Sequence, residues 1–171
     1  MIKIIGAILT ILSSSLIGYI YGENLKKRMN NLKELERAMY QLKNEIMYGH
    51  ALLENAFLSV AHSCKSPVNK VFYNISNLLK EGYCIDVYDA FYKSFYEKHS
   101  LELTKEDIEV FLNFSKTLGE LNLGGQEDMF DLTILYLEKS IKDSEENLKK
   151  NLKMYRYLGF SIGAMVVLVL I

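Results

Sequence analysis

The chain begins and ends with apolar segments, and nearly all of its charged side chains lie between them. No charged residue occurs from Ile4 to Gly22 or from Tyr157 to Ile171. As helices, Ile4–Tyr21 and Tyr157–Ile171 are about 27 Å and 22 Å long, against a hydrocarbon core of about 30 Å. We therefore predict an N-terminal transmembrane anchor over residues 1–22, a charged domain over 23–156 and a C-terminal transmembrane segment over 157–171.

Each apolar end has a second interpretation. A cleaved signal peptide also begins with a lysine and an apolar run, but no A-x-A site follows this one, and a helical pattern continues from Glu23. The last segment is short enough for a buried core helix. Its closing run of large apolar residues after Gly163 and Ala164 favours a membrane segment instead.

Basic residues border both apolar segments on their inner sides. These residues are Lys26, Lys27 and Arg28 after the first segment, and Lys149, Lys150, Lys153 and Arg156 before the second. The positive-inside rule places such clusters in the cytoplasm. We expect a protein of the cell membrane whose middle domain, residues 23–156, is cytoplasmic.

The middle domain has apolar residues at alternating steps of three and four, which is typical of amphipathic helices. The predicted helices span residues 25–61, 67–80, 86–96, 104–118 and 126–156. The first contains Gly49, where the missing side chain favours a bend or an end. Ser66 is the predicted N-cap of the second helix, and Thr104 with Asp107 forms a capping box at the fourth. We predict an all-α bundle of about five helices between the two transmembrane helices.

The apolar stripes also predict the core of this bundle. Four phenylalanines and a leucine lie on different stripes and are expected to be buried together: Phe57, Phe72, Phe91, Phe111 and Leu137. The stripe of the last helix is expected to include Leu132 as well.

The chain lacks the residue patterns of the common catalytic and ligand-binding sites. Its net charge of −1 excludes a strongly basic nucleic-acid binder, and its two cysteines provide no disulfide framework. The three histidines have no second ligand at metal-binding spacing. No phosphate-binding loop, dinucleotide fingerprint, nucleophile elbow or H-E-x-x-H motif occurs. We expect no enzyme, no cofactor, no metal site and no nucleic-acid partner.

Two connections are candidates for a surface that meets a partner protein, around residues 49–54 and 122–128. The candidate contact residues are Gly49, Glu54, Gln126 and Asp128. Small residues, short polar side chains and an acidic helix start suit a basic partner better than a lipid. Plain solvated turns are the alternative.

Several segments resemble one family of membrane proteins. Leu42-Lys-Asn-Glu-Ile-Met-Tyr-Gly49, followed by Leu53-Glu-Asn-Ala-Phe57, is similar to the first helical motif of the stage III sporulation protein AB family. Phe114-Ser-Lys-Thr-Leu-Gly119 with Gln126, and Tyr155-Arg-Tyr-Leu-Gly159, resemble its later segments. The chain departs from the family pattern at Ala51 and at Glu120-Leu-Asn122.

The resemblance implies a role in endospore formation. The family is similar to the cytoplasmic domain of the inner-membrane platform proteins of type II secretion and type IV pilus systems. By that resemblance the chain couples a hexameric secretion-type ATPase to other sporulation channel proteins, in the mother-cell membrane that faces the forespore. Self-association is left open. The competing hypothesis is a membrane-tethered coiled-coil adaptor in signalling or cell division, built on the helix from Glu23 to Ala61.

Overall fold

The computed structural model describes residues 2–49, 51–98, 101–118 and 123–170, and every regular element in these ranges is helical. The all-α prediction is therefore confirmed. The elements are α1 (Ile2–Met47), α2 (Leu53–Ser63), α3 (Val68–Glu81), α4 (Val87–Tyr92) with a π-helical continuation (Lys93–Lys98), α5 (Lys105–Thr117) and α6 (Leu123–Leu170).

The chain forms two compact units, and α1 and α6 each contribute to both. The first unit consists of Met1–Met29 and Lys142–Ile171, and the second of Asn30–Ile141. Within the first unit, Arg28 Nη1 donates a hydrogen bond of 2.9 Å to Ser144 Oγ, which joins α1 to α6. The boundaries expected at residues 22 and 156 stay predictions.

The predicted membrane segments form the outer ends of α1 and α6. Among the residues it describes, none of the helices has the length and apolar character needed to cross a membrane. Most side chains of residues 1–22 and 157–171 lie outside the described set. The two anchors therefore stay predictions.

The core of the second unit consists largely of phenylalanine rings. Phe57, Phe72, Phe91, Phe111 and Leu137 have no exposed surface, which confirms the predicted core. Neighbouring rings are in contact along the series. The ring centroids lie 6.1 Å apart for Phe57–Phe72, 5.5 Å for Phe57–Phe91, 6.3 Å for Phe91–Phe114, 5.3 Å for Phe95–Phe111 and 4.8 Å for Phe114–Phe130.

The expectation that Leu132 belongs to this core is wrong, because 59% of its surface is exposed. The buried face of α6 runs through Phe130, Ile134, Leu137 and Ile141, at steps of three and four. Leu132 lies two residues from Phe130, about 200° around the helix, so it cannot share that face.

Two predicted helix starts have different outcomes. The capping box at α5 is confirmed: Thr104 N donates to Asp107 Oδ2 (2.9 Å), and Asp107 N donates to Thr104 Oγ1 (3.2 Å). The N-cap predicted at Ser66 is wrong, because Pro67 occupies that position and α3 begins at Val68. Lys70 N donates to Pro67 O at 3.1 Å, so the first turn closes without the Ser66 side chain.

The long helix expected over residues 25–61 is two helices, separated near Gly49. Gly49 N donates to Asn44 O (3.1 Å), and Ala51 N donates to Glu45 O (3.2 Å), which closes the end of α1. A Cβ atom at Gly49 would lie 2.7 Å from the carbonyl oxygen of Glu45. Only glycine therefore fits this tight end without moving the backbone.

Candidate interaction surface

The end of α1 lies beside the beginning of α6. Lys43 Nζ contacts Asp131 Oδ1 at 2.7 Å and Glu127 Oε1 at 3.2 Å. One turn earlier on α1, Tyr40 donates its hydroxyl proton to Glu138 Oε1 at 3.1 Å. The hydrogen bond to Asp131 is the main cause that raises the pKa of Lys43, so its ammonium group stays charged between the two carboxylates. These contacts place the residues that follow Met47 near the first turns of α6.

The end of α3 reaches the same part of the second unit. Ser76 Oγ donates to the backbone oxygen of Glu54 at 2.7 Å, so the last turns of α3 lie along the start of α2. Gly82 then reverses the chain with φ of 69°, and residues 83–86 form the connection to α4. We call the surface formed by residues 48–49, 51–54, 83–86 and 126–128 the connection end.

All four predicted contact residues lie at the connection end. Gly49 and Asp128 are exposed, whereas Glu54 and Gln126 are half-buried. Asn122, at the start of the second predicted connection, lies outside the described residues. The structure thus brings two sequence-distant connections together, while their contact with a partner stays a prediction.

Large apolar side chains at the connection end were not predicted from the sequence. Tyr48, Leu52, Tyr83 and Ile85 are 71%, 68%, 72% and 95% exposed. Tyrosine is enriched in the contact surfaces of proteins, and a cluster of exposed apolar residues is typical of an interaction site. The signal available in the sequence was the position of Ile85, an apolar residue between a glycine turn and the N-cap Asp86.

The connection end is also acidic. Within the described ranges, Glu54, Asp86 and Asp128 have no ion-pair partner, and neither has Glu81, the last residue of α3 just before this surface. The last turn of α3 contributes one basic residue, Lys80. Exposed apolar groups among unpaired carboxylates suit a partner surface that is both apolar and basic.

The charged groups elsewhere on α1 and α6 are arranged for packing. The pKa of Glu36 is raised, first by burial and then by the carboxylate of Glu138, while Lys33 opposes that rise. The pKa of Tyr40 is raised mainly by its hydrogen bond to Glu138. The hydrogen bond from Tyr40 to Glu138 holds α1 against α6, whereas the carboxylates of Glu36 and Glu138 repel each other.

The two thiols are unsuited to nucleophilic chemistry. Cys64 is buried, which raises its pKa to about 11. Cys84 is half-buried, its thiol donates to Leu78 O at 3.3 Å, and burial raises its pKa too. Both are therefore protonated near neutral pH. The described side chains also include no group of three or more histidines, cysteines or carboxylates that would hold a metal ion.

The basic clusters are placed as follows. Lys26 and Lys27 are exposed, and Arg28 makes the hydrogen bond to Ser144 described above. Lys149 and Lys150 are exposed on α6, whereas the side chains of Lys153 and Arg156 lie outside the described residues.

The stripe on which the coiled-coil hypothesis depends is not available to a second chain. Leu32, Leu35, Met39 and Leu42 of α1 have no exposed surface, because they pack into the core of the second unit. A coiled coil requires that such a stripe face a partner helix.

Comparisons with known proteins agree on one family. A family model described as stage III sporulation protein AB matches residues 3–171. Stage III sporulation protein AB of Bacillus subtilis (strain 168) is 30% identical over 172 residues, which cover 99% of each chain. A solved structure of a stage III sporulation protein AB superimposes with a TM-score of 0.64 at 30% identity, covering 71% of this chain and 96% of that chain. The chain therefore belongs to the stage III sporulation protein AB family.

Proposed function

We propose that this protein is a membrane-anchored platform that couples a cytoplasmic secretion-type ATPase to membrane channel proteins during endospore formation. Its family membership is consistent with a sporulation-related role. The observation that carries the finer proposal is the connection end, where three connections bear exposed apolar side chains and unpaired carboxylates. Contacts of Lys43 with α6 and of Ser76 with Glu54 link the helices beside them. This surface receives the ATPase, and the chain itself does not hydrolyse ATP.

The apolar ends provide the membrane attachment in this proposal. Residues 1–22 and 157–171 anchor the chain, and the basic clusters beside them keep residues 23–156 in the cytoplasm. Lys26 and Lys27 on α1 and Lys149 and Lys150 on α6 are exposed, near the contact of Arg28 with Ser144 in sequence. They support this arrangement, because lysines at the membrane edge interact favourably with anionic lipid headgroups. The platform lies in the mother-cell membrane that faces the forespore.

The orientation is tested by labelling a single introduced thiol. Asn113 is exposed on α5, and the native thiols are protected by burial and by their raised pKa values. We expect Asn113→Cys to react with a membrane-impermeant maleimide only after protoplasts are lysed. The unsubstituted chain measures the background from Cys64 and Cys84. Labelling of intact protoplasts would show that the middle domain lies outside the cytoplasm.

The ATPase contact is tested by reversing charge at the connection end. Glu54→Lys combined with Asp128→Lys is expected to lower recovery of the secretion-type ATPase with the tagged chain about tenfold, because both changes repel a basic partner. Spore counts should fall with it. The matched control is Glu109→Lys, an exposed carboxylate on α5.

The fold is expected to survive these changes. Asp128 is exposed and its replacement should cost within about 0.5 kcal/mol, whereas Glu54 lies in the first turn of α2, where a positive charge costs about 0.3–1 kcal/mol. Expression and melting temperature of each variant are measured alongside. Undiminished ATPase recovery at matched expression would exclude the connection end as the docking surface.

A further inference from the structure

The connection between α3 and α4 is held rigidly by its own hydrogen bonds. Asp89 Oδ2 accepts from Ile85 N (3.2 Å) and from Lys93 Nζ (2.8 Å), and Lys93 Nζ also donates to Tyr83 O (3.2 Å). At the start of α4, Asp86 Oδ1 accepts from Asp89 N (2.7 Å). The hydrogen bond from Lys93 lowers the pKa of Asp89, so this carboxylate is ionised at neutral pH and accepts both hydrogen bonds.

The braced connection holds Ile85 in solvent, with 95% of its surface exposed. An apolar residue just before an N-cap usually packs against the fourth residue of the helix, which here is Ala90. Ile85 does not make this contact, since Ala90 is fully buried among other residues while Ile85 remains exposed. Three hydrogen bonds therefore fix this connection, although the Ile85 side chain contributes nothing to the core.

An exposed apolar side chain on a rigid loop has the properties of a binding anchor. Its conformation is already fixed, so little conformational entropy is lost when a partner binds. Anchors of this kind fill a pocket at the centre of an interface and contribute much of its binding energy. Tyr83, two residues before Ile85, is 72% exposed and extends the apolar contact.

The charges around Ile85 indicate the chemistry of the partner. Asp86 follows it directly, and Glu81 precedes the turn at Gly82, next to the exposed Lys80. Lys93 is paired with Asp89. Neither Asp86 nor Glu81 has an ion-pair partner within the described part of the chain. Basic residues beside the pocket would pair with them, whereas acidic residues would repel them.

We infer that Ile85 is the anchor of the connection end and inserts into an apolar pocket, bordered by basic side chains, on the cytoplasmic protein partner. This inference rests on the proposed function, since it assigns the central contact of the same docking surface. It goes further in naming one residue, its rigid support and the pocket that receives it.

The test measures binding of the full chain, in detergent or nanodiscs, to the purified secretion-type ATPase of the sporulating organism. Ile85→Asp is expected to raise the dissociation constant at least about tenfold, because a carboxylate cannot enter an apolar pocket. Ile85→Leu keeps the apolar volume and should remain within about threefold of the original value. Leu135→Asp changes an equally apolar side chain, 62% exposed on α6, and should leave binding unchanged.

Asp89→Ala tests the support rather than the anchor. It keeps the isoleucine side chain but removes the acceptor of Ile85 N and Lys93 Nζ, so the loop is no longer fixed. Binding should then weaken severalfold, with little change in melting temperature. Raising the salt concentration should weaken binding of the unsubstituted chain, as expected for carboxylates beside a basic rim.

The outcomes separate this inference from the proposed function. If the ATPase binds and Ile85→Asp binds equally well, the anchor is overturned while the ATPase proposal stands. If the unsubstituted chain does not bind the ATPase, the proposed function is overturned. In that case the spore count decides whether Ile85 is an anchor. Fewer spores with Ile85→Asp, but not with Ile85→Leu or Leu135→Asp, would support an anchor for another protein partner. An unchanged spore count with Ile85→Asp would overturn the anchor as well.

Discussion

Replacing Phe91 by alanine is expected to lower the free energy of unfolding by about 3–5 kcal/mol. The Phe91 ring has no exposed surface and lies at the centre of the aromatic core. Its centroid is 5.5 Å from that of Phe57, 6.1 Å from Phe95 and 6.3 Å from Phe114. The truncation therefore removes contacts with α2, with the π-helical segment and with α5 at once.

Urea unfolding of the full chain in mild detergent, followed by near-ultraviolet circular dichroism of its tyrosines, measures this loss. Tyr92→Ala is the matched control, because Tyr92 is the next residue and 43% exposed. It should cost within about 1 kcal/mol. Equal midpoints for Phe91→Ala and the unsubstituted chain would show that the aromatic series does not stabilise the second unit.

Replacing Asp107 by alanine is expected to cost about 2 kcal/mol, the second largest effect among these variants. Asp107 has no exposed surface, and its carboxylate accepts the hydrogen bond from Thr104 N at 2.9 Å. Alanine leaves that N–H group without its acceptor at the start of α5. The other half of the capping box remains, because the backbone N–H of residue 107 still donates to Thr104 Oγ1.

Asp107→Asn separates the hydrogen bond from the charge. Asparagine retains a side-chain oxygen as acceptor for Thr104 N, so most of the stability should return. Glu109→Ala, two residues along and exposed, controls for loss of a carboxylate in the same helix. The capping interpretation fails if Asp107→Ala and Glu109→Ala unfold at the same urea concentration.

The fold was predictable where the signal is local. Thr104 and Asp107 lie three residues apart, and their backbone and side-chain groups satisfy each other without help from the rest of the chain. The buried phenylalanines were predictable because each lies at a step of three or four from another large apolar residue. Gly49 was predictable as a break because it interrupts such a stripe.

The errors concern choices that depend on the surroundings. Ser66 and Pro67 are neighbouring candidates for one helix start, and the carbonyl groups that close the first turn decide between them. Leu132 is as apolar as Leu137, and only the packing of α6 determines which of the two is buried. Apolar character alone does not specify a face of a helix that has several apolar residues in a row.

The candidate surface was predictable in its parts but not in its arrangement. The sequence identified the connections that contain Gly49, Glu54, Gln126 and Asp128 because turns and helix starts have local signatures. Their proximity depends on Lys43 and its two carboxylate partners on α6, which lie more than eighty positions further along the chain. Ile85 was missed because an apolar residue is normally expected to be buried.

The order of the aromatic rings along the chain has a consequence for synthesis at the ribosome. Phe57 and Phe72 are made early, but the series of ring contacts ends at Phe130, which packs on Phe114 at 4.8 Å. Until α6 has left the ribosome, the apolar faces of α2 to α5 cannot pack against the buried face of α6. The nascent chain therefore carries incompletely covered phenylalanines until Phe130 is available, and a ribosome that pauses before this point is expected to leave an intermediate prone to aggregation.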